Sequence, residues 1–89
     1  MTNMTVWFAR VRVTLKSAVN DPQGLAIRGG LHQLGYAEVT HVRAGKYFDL
    51  QLTARDRATA ERTVAEICGK LLANPVIEDY TFDLADTMS

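Results

Sequence analysis

Residues 6–15 alternate between the two sides of an extended chain. Trp7, Ala9, Val11, Val13 and Leu15 fall on one side, with Phe8, Arg10, Arg12 and Thr14 on the other. Successive side chains of a strand point to opposite faces, so the run predicts a β-strand with one buried and one mostly solvated face, the habit of antiparallel sheets. The period then changes. Asn20-Asp21-Pro22 predicts a helix start: Asp21 can accept a hydrogen bond from a free first-turn amide, and Pro22 lacks an N–H where none is needed. Leu25, Ile27, Leu31 and Leu34 supply the apolar side of this helix, and Gly35 ends it. Gly24, Gly29 and Gly30 lie inside it, each costing about 1 kcal/mol against alanine. Such glycines imply either close packing of the helix on the sheet or a backbone approached by a partner or ligand.

A second strand is expected over residues 38–43, a turn at Gly45-Lys46, and a returning strand over 47–53. Phe48, Leu50 and Leu52 face one way and Tyr47, Asp49 and Gln51 the other, so the pair reads as a β-hairpin. Arg55-Asp56 begins a second helix with Ala60, Val64, Ile67, Cys68 and Leu71 on its inner stripe and Glu61, Arg62, Glu66 and Lys70 on its solvated side. Residues 71–80 end that helix and launch the last strand. Asn74 tolerates the left-handed conformation of a helix end, Pro75 cannot continue a helix, and from Val76 to about Leu84 the period is two. Residues 1–5 are expected to be a flexible N-terminus, 6–84 one domain, and 85–89 a C-terminal tail.

The order strand, helix, strand, strand, helix, strand contains two βαβ units. Right-handed crossovers and short connections favour an α+β, ferredoxin-like βαββαβ fold: a four-stranded antiparallel sheet with both helices on one face. The other face would then be open, carrying Phe8, Arg10, Arg12, Tyr47, Asp49 and Gln51. Aromatics among charges on an open sheet suit self-association, with Phe8, Arg10, Arg12 and Tyr47 as candidates.

Composition narrows the function classes. With 89 residues the chain is near the lower limit for one hydrophobic core, a size often helped by self-association. Ten basic and ten acidic residues cancel, which argues against a nucleic-acid binder needing a clustered positive excess. The single cysteine, Cys68, cannot form an internal disulfide, and no run is long enough for a membrane helix. With no signal-peptide pattern at the start, a cytoplasmic protein is expected.

No catalytic constellation emerges. His32 and His41 lack companions at metal-ligand spacing, so no metal site is expected. Cys68 lies on an apolar stripe, where a buried, inert thiol is expected. Glu78 and Asp79 are neighbours on a strand and face opposite ways. Gly45-Lys46 lacks the upstream glycine and following Ser or Thr of a phosphate loop. The connection 16–20 between first strand and first helix lacks the glycine common in ferredoxin-like ligand sensors, which counts against that alternative without removing it.

Taken together and in order, Val11-Arg12-Val13-Thr14-Leu15-Lys16, Asp21-Pro22-Gln23-Gly24, Leu31-His32-Gln33-Leu34-Gly35-Tyr36, Arg43-Ala44-Gly45-Lys46-Tyr47 and the string 71–80 closely resemble the PurS family. PurS is the small subunit of phosphoribosylformylglycinamidine (FGAM) synthase in bacteria and archaea, and the resemblance covers about residues 6–84. It implies a noncatalytic subunit of a glutamine-dependent C–N ligase of purine biosynthesis. That enzyme converts formylglycinamide ribonucleotide (FGAR), glutamine and ATP to FGAM, glutamate, ADP and phosphate. It implies, as partners, a PurQ-type glutaminase that frees ammonia and a PurL-type synthetase that uses it. This chain would hold the two together, aid ammonia transfer, and form a homodimer or a higher oligomer. ATP and magnesium would belong to the synthetase, with no cofactor bound by this chain. Gly45, Lys46, Tyr47, Asn74 and Pro75 are the candidate contacts with other subunits. The alternative kept beside this reading is a free-standing ferredoxin-like sensor of a small ligand.

Overall fold

The computed structural model describes residues 4–87. In chain order it contains β1 (Thr5–Leu15), α1 (Pro22–Gln33), β2 (Gly45–Ala54), α2 (Arg57–Ile67), a π-helical turn (Cys68–Leu72) and β3 (Glu78–Ala85). Three strands form one antiparallel sheet in the order β2-β1-β3. The fold is α+β, with an antiparallel sheet and two helices.

The alternation read along β1 sets the core. Trp7, Ala9, Val11 and Val13 are buried, and the register places Val11 between Phe48 of β2 and Phe82 of β3. α2 covers this face with Val64 and the π-helical turn with Cys68, and Phe48, Leu50, Leu52, Leu72, Phe82 and Leu84 pack around them. Burying each valine contributes about 1.5–3 kcal/mol. A smaller cluster joins Trp7, Ala54 and Ala60 at the far end of the sheet. There the Trp7 indole N–H donates to the Ala54 carbonyl at 3.3 Å, and the Arg57 guanidinium lies 5.3 Å from the ring.

α2 starts where expected, its first turn capped by the Asp56 carboxylate, which accepts from the Thr59 amide at 2.8 Å. Its end differs. The Ala73 amide donates to the Cys68 carbonyl at 2.9 Å, a five-residue step that widens the last turn. The wider turn delays the rotation of the chain, so Leu72 meets the core while Leu71, expected on the inner stripe, is 80% exposed. Asn74 does not adopt the left-handed conformation, since among described residues only Gly35 has a positive φ, at 98°. Asn74 builds a turn instead: its side-chain oxygen accepts from the Val76 amide at 3.0 Å and its carbonyl from the Glu78 amide at 2.7 Å. That turn uses residues 75–77, so β3 begins at Glu78 rather than Val76.

The larger difference concerns residues 22–44. No strand forms over 38–43, so the sheet of the described chain has three strands rather than four. Gly45 is not a turn residue. It is the first residue of β2, opposite Thr14, and the hairpin is absent. Nor do both helices cover one face: no α1 residue belongs to either core cluster, and Leu25, Ile27 and Leu34 are 54%, 44% and 75% exposed. α1 pairs instead with its own return segment, where His32 Nε2 lies 2.7 Å from the Val39 carbonyl oxygen. Helix and return segment make an arm that continues beyond the sheet. The radius of gyration is 17.1 Å and the longest extent 60 Å, against about 12 Å for the radius of a compact chain of this length.

At the chain ends, Thr5 pairs with Ala54 and Ala85 with Phe8. The remaining terminal expectations fall partly on residues 1–3 and 88–89, outside the described residues. Among described residues no helix is long and apolar enough to cross a membrane.

The π turn makes a paired prediction. In chemical denaturation, Leu72→Ala should cost about 2 kcal/mol or more, whereas Leu71→Ala should stay within about 0.5 kcal/mol of the parent. Equal losses would mean that the helix keeps its ordinary rotation through Leu71.

Candidate functional site

The candidate contacts Gly45, Lys46, Tyr47, Asn74 and Pro75 gather at one end of the sheet, where β1 finishes, β2 and β3 begin, and the arm departs. Lys46 and Glu78 both fall on the helix-facing side, opposite Val13 and Leu15 of the central strand. The Lys46 ammonium lies 3.7 Å from one oxygen of Glu78, whose side chain is only 13% exposed. The other Glu78 oxygen accepts from the Asn74 amide at 2.7 Å. One carboxylate thus joins the Gly45-Lys46 segment to the Asn74-Pro75 corner, two candidates that lie apart in the sequence. The Lys16 amide adds a bond to the Ile77 carbonyl at 2.8 Å, and its ammonium lies 3.8 Å from Asp79 on the opposite face.

Glu78 is the residue that sequence reasoning passed over. The signal was its parity. Glu78 shares a face with Tyr80, Phe82 and Leu84, and Lys46 with Phe48, Leu50 and Leu52. A lone charge on an apolar face needs a counter-charge, and these two are the ones available at that end.

Asp21 roots the arm. One carboxylate oxygen accepts from the Gly24 amide and the other from the Ala44 amide, each at 3.0 Å. These two amides, ahead of the charge of Arg43, hold the Asp21 carboxyl below its ordinary value of 3.8. Gly24 fits because a side chain there would collide with the Val42 carbonyl and come within 2.6 Å of an Asp21 oxygen. The close packing expected of Gly24 is therefore real, but its neighbour is the return segment, not the sheet. Gly45 is required in the same way: a side chain would strike the Val13 carbonyl and lie 2.9 Å from a Thr14 methyl. Gly29 and Gly30 have open space beside them, so packing within the chain does not account for them.

The opposite face of the sheet is open. Phe8, Arg10 and Arg12 stand on β1 beside Gln51, Asp49 and Tyr47 of β2, in the register expected of neighbouring strands. Arg12 forms an ion pair with Asp83 of β3 at 3.1 Å. The Tyr47 hydroxyl donates to Asp49 at 2.8 Å, and this bond raises the tyrosine pKa. A shallow depression of about 430 Å³ lies among Phe8, Arg10, Tyr47, Asp49 and Gln51. Tyr47 is therefore on this face, while its neighbour Lys46 is on the other.

Nucleophilic chemistry finds little material. Cys68 is fully buried, and burial pushes its thiol pKa up. Among described residues no group of three or more His, Cys, Asp or Glu is placed to hold a metal ion.

Residues 8–86 match the PurS family model, described as phosphoribosylformylglycinamidine (FGAM) synthase. The chain belongs to the PurS family. Its similarity to the Synechocystis FGAM synthase subunit PurS is 49% identity over 78 residues, covering 88% of this chain and 78% of that one. With the Bacillus subtilis PurS subunit it shares 45% identity over 80 residues, covering 90% and 94%. Among solved structures it is similar to B. subtilis PurS, with a TM-score of 0.79, 46% identity and coverage of 89% and 98%. It is also similar to a chain in the structure of PurLQS from Thermotoga maritima, with a TM-score of 0.83, 30% identity and coverage of 90% and 98%. The elongated fold described above is thus shared with PurS chains solved by experiment.

The Asp21 geometry carries a pH prediction. A carboxylate lowered by folding adds its full stability above its unfolded value and gives it up as the pH falls through the lower folded value. Asp21→Asn should be less stable than the parent near neutral pH and should lose less on acidification from about pH 4 to about pH 2. The slope will shrink without vanishing, because Asp56, lowered by its bonds to Thr59, titrates in the same window. Thermal melts followed by far-ultraviolet circular dichroism measure this; identical acid slopes would show that the carboxylate does not secure the arm.

Proposed function

We propose that this chain is the noncatalytic bridging subunit of FGAM synthase, holding a glutaminase and a synthetase together in the conversion of FGAR, glutamine and ATP to FGAM. The observation that carries the reading is similarity along nearly the whole length of a chain solved within PurLQS from T. maritima. The partners it implies are a PurL-type synthetase and a PurQ-type glutaminase. ATP and magnesium are assigned to the synthetase, and the site of action is the cytoplasm. Ammonia released in water is protonated and lost as a nucleophile, so transfer between two active sites needs ordered, water-excluding surfaces rather than an acid or base on the bridge.

The bridging role also makes sense of what the chain leaves uncovered. A helix with exposed Leu25, Ile27 and Leu34, together with exposed Leu71 and Val76, is costly for an isolated chain. A second copy is the occupant that supplies matching surface. In a homodimer, the return segment of one copy, residues 38–43, would pair with the free edge of β2 in the other. That pairing would restore the four-stranded, ferredoxin-like sheet across two chains. Gly29 and Gly30, open on their own helix, would admit the partner's backbone. The open face bearing Phe8, Arg10, Arg12 and Tyr47 offers a further surface for copies to associate. Gly45, Lys46, Asn74 and Pro75, fastened together through Glu78, form the corner assigned to contact with the other subunits, with Tyr47 on the reverse side of the same end.

Reconstitution tests the role. Glutamine-dependent FGAM formation by the host's glutaminase and synthetase should need this chain, whereas formation from ammonium salt should need it much less, because delivery is bypassed. Equal dependence with both nitrogen sources, or none with either, would overturn the bridging reading. Sedimentation velocity tests the second copy: the chain should run as a dimer or larger, and Leu25→Asp with Leu34→Asp should shift it toward monomer.

A further inference from the structure

Five of the ten Lys and Arg side chains have a counter-charge at hand. Arg12 meets Asp83, Lys16 meets Asp79, Lys46 meets Glu78, Arg57 meets Glu61 and Lys70 meets Glu66. Arg28, Arg43, Arg55 and Arg62 are not among these, and of the four Arg28 and Arg43 lie together. Neither has an ion pair within 4.0 Å among the described residues, yet both line one cavity of about 390 Å³, and His41 lines it with them. This cavity lies at the root of the arm, between the β1–α1 connection and the return segment.

The one acidic group on the wall is Asp21, and both its oxygens are engaged by the Gly24 and Ala44 amides at 3.0 Å. Arg43 acts on it only as a lesser influence after those two bonds. The carboxylate's hydrogen-bonding capacity is therefore committed to the backbone, and its single negative charge is outnumbered by the two guanidiniums on the same concave surface. A concave wall with a net positive charge focuses the field and concentrates anions. Guanidinium groups present paired N–H donors that match carboxylate and phosphate oxygens. The rest of the lining is suited to a molecule rather than a bare ion: Leu25 and Val42 give apolar surface, and Asn20 adds a neutral hydrogen-bonding group. A volume of this size is within the range of small-molecule sites.

We propose that the cavity at the arm root binds a small molecule carrying an oxyanion, a phosphate monoester or a carboxylate, on a compact apolar body. Arg28 and Arg43 clamp the oxyanion, His41 contributes a further hydrogen bond, and Leu25 and Val42 contact the body. Because the return segment supplies three of the ten lining residues, occupancy would also brace the arm against the sheet end. The site does not depend on the synthase reading, but it shares Leu25 and residues 41–43 with the surface assigned above to the second copy, so its test uses the chain in its native oligomer.

The full-length chain, labelled with nitrogen-15, is titrated with phenyl phosphate, benzoate and inorganic phosphate at constant ionic strength, with chloride as control. Saturable amide shifts confined to residues 17–21 and 41–43 are expected with phenyl phosphate or benzoate, and the tighter of the two assigns the head group. Inorganic phosphate, lacking the body, should bind more weakly. Arg28→Ala with Arg43→Ala should weaken binding at least about tenfold, while Arg28→Lys with Arg43→Lys should retain part of it. Unshifted resonances in the sheet verify that each variant is folded. Shifts reproduced by chloride, or a double-alanine variant that titrates like the parent, would overturn the proposal.

Discussion

Everything that is packed in this protein is packed on β1. It is the central strand, paired on both sides, and its Trp7, Ala9, Val11 and Val13 are the face that α2 covers. With only one helix on a three-stranded sheet, that face is the whole of the hydrophobic core. A single substitution in it touches both cross-strand neighbours and the helix together, so the sheet stands or falls as one unit. The far side of the same strand carries Arg10 and Arg12, and is left to ion pairs and solvent.

The second helix of the fold obeys a different constraint. Asp21 accepts from Gly24 within α1 and from Ala44 at the foot of β2, closing a loop of more than twenty residues with one carboxylate. Gly24 lets the return segment lie against the helix, and Gly45 lets β2 start flush against β1. These contacts are local to the arm. They fix where it leaves the sheet and give α1 a neighbour, but they bring none of its leucines into the core.

Much of this was legible in the residues. The alternation in β1, the Asp21-Pro22 and Asp56 helix starts and the glycine stop at Gly35 appear where the periodicity and cap chemistry put them. The fourth strand was not legible, for a physical reason. Residues 38–43 have strand-like composition, but composition does not say which chain a strand pairs with, and in the single chain the segment is held by α1. The outward Leu71 was hidden because a π turn leaves the helical pattern intact until its last residues. Several of the PurS motif strings converge on one end of the molecule. They did not disclose that Glu78 ties two of them together, because that link depends on two charges sharing an apolar face three strands wide.

The arm has a mechanical consequence. A helix of this length spans about 18 Å, and it is fixed at its Asp21 end next to the corner made by Lys46, Glu78 and Asn74. It is therefore a lever with its fulcrum beside that corner. A rotation of about 10° at Asp21 displaces Leu34 by about 3 Å, the difference between a seated and an unseated leucine. A push on that end of the sheet that turned the helix at Asp21 would be magnified at the far tip of the arm.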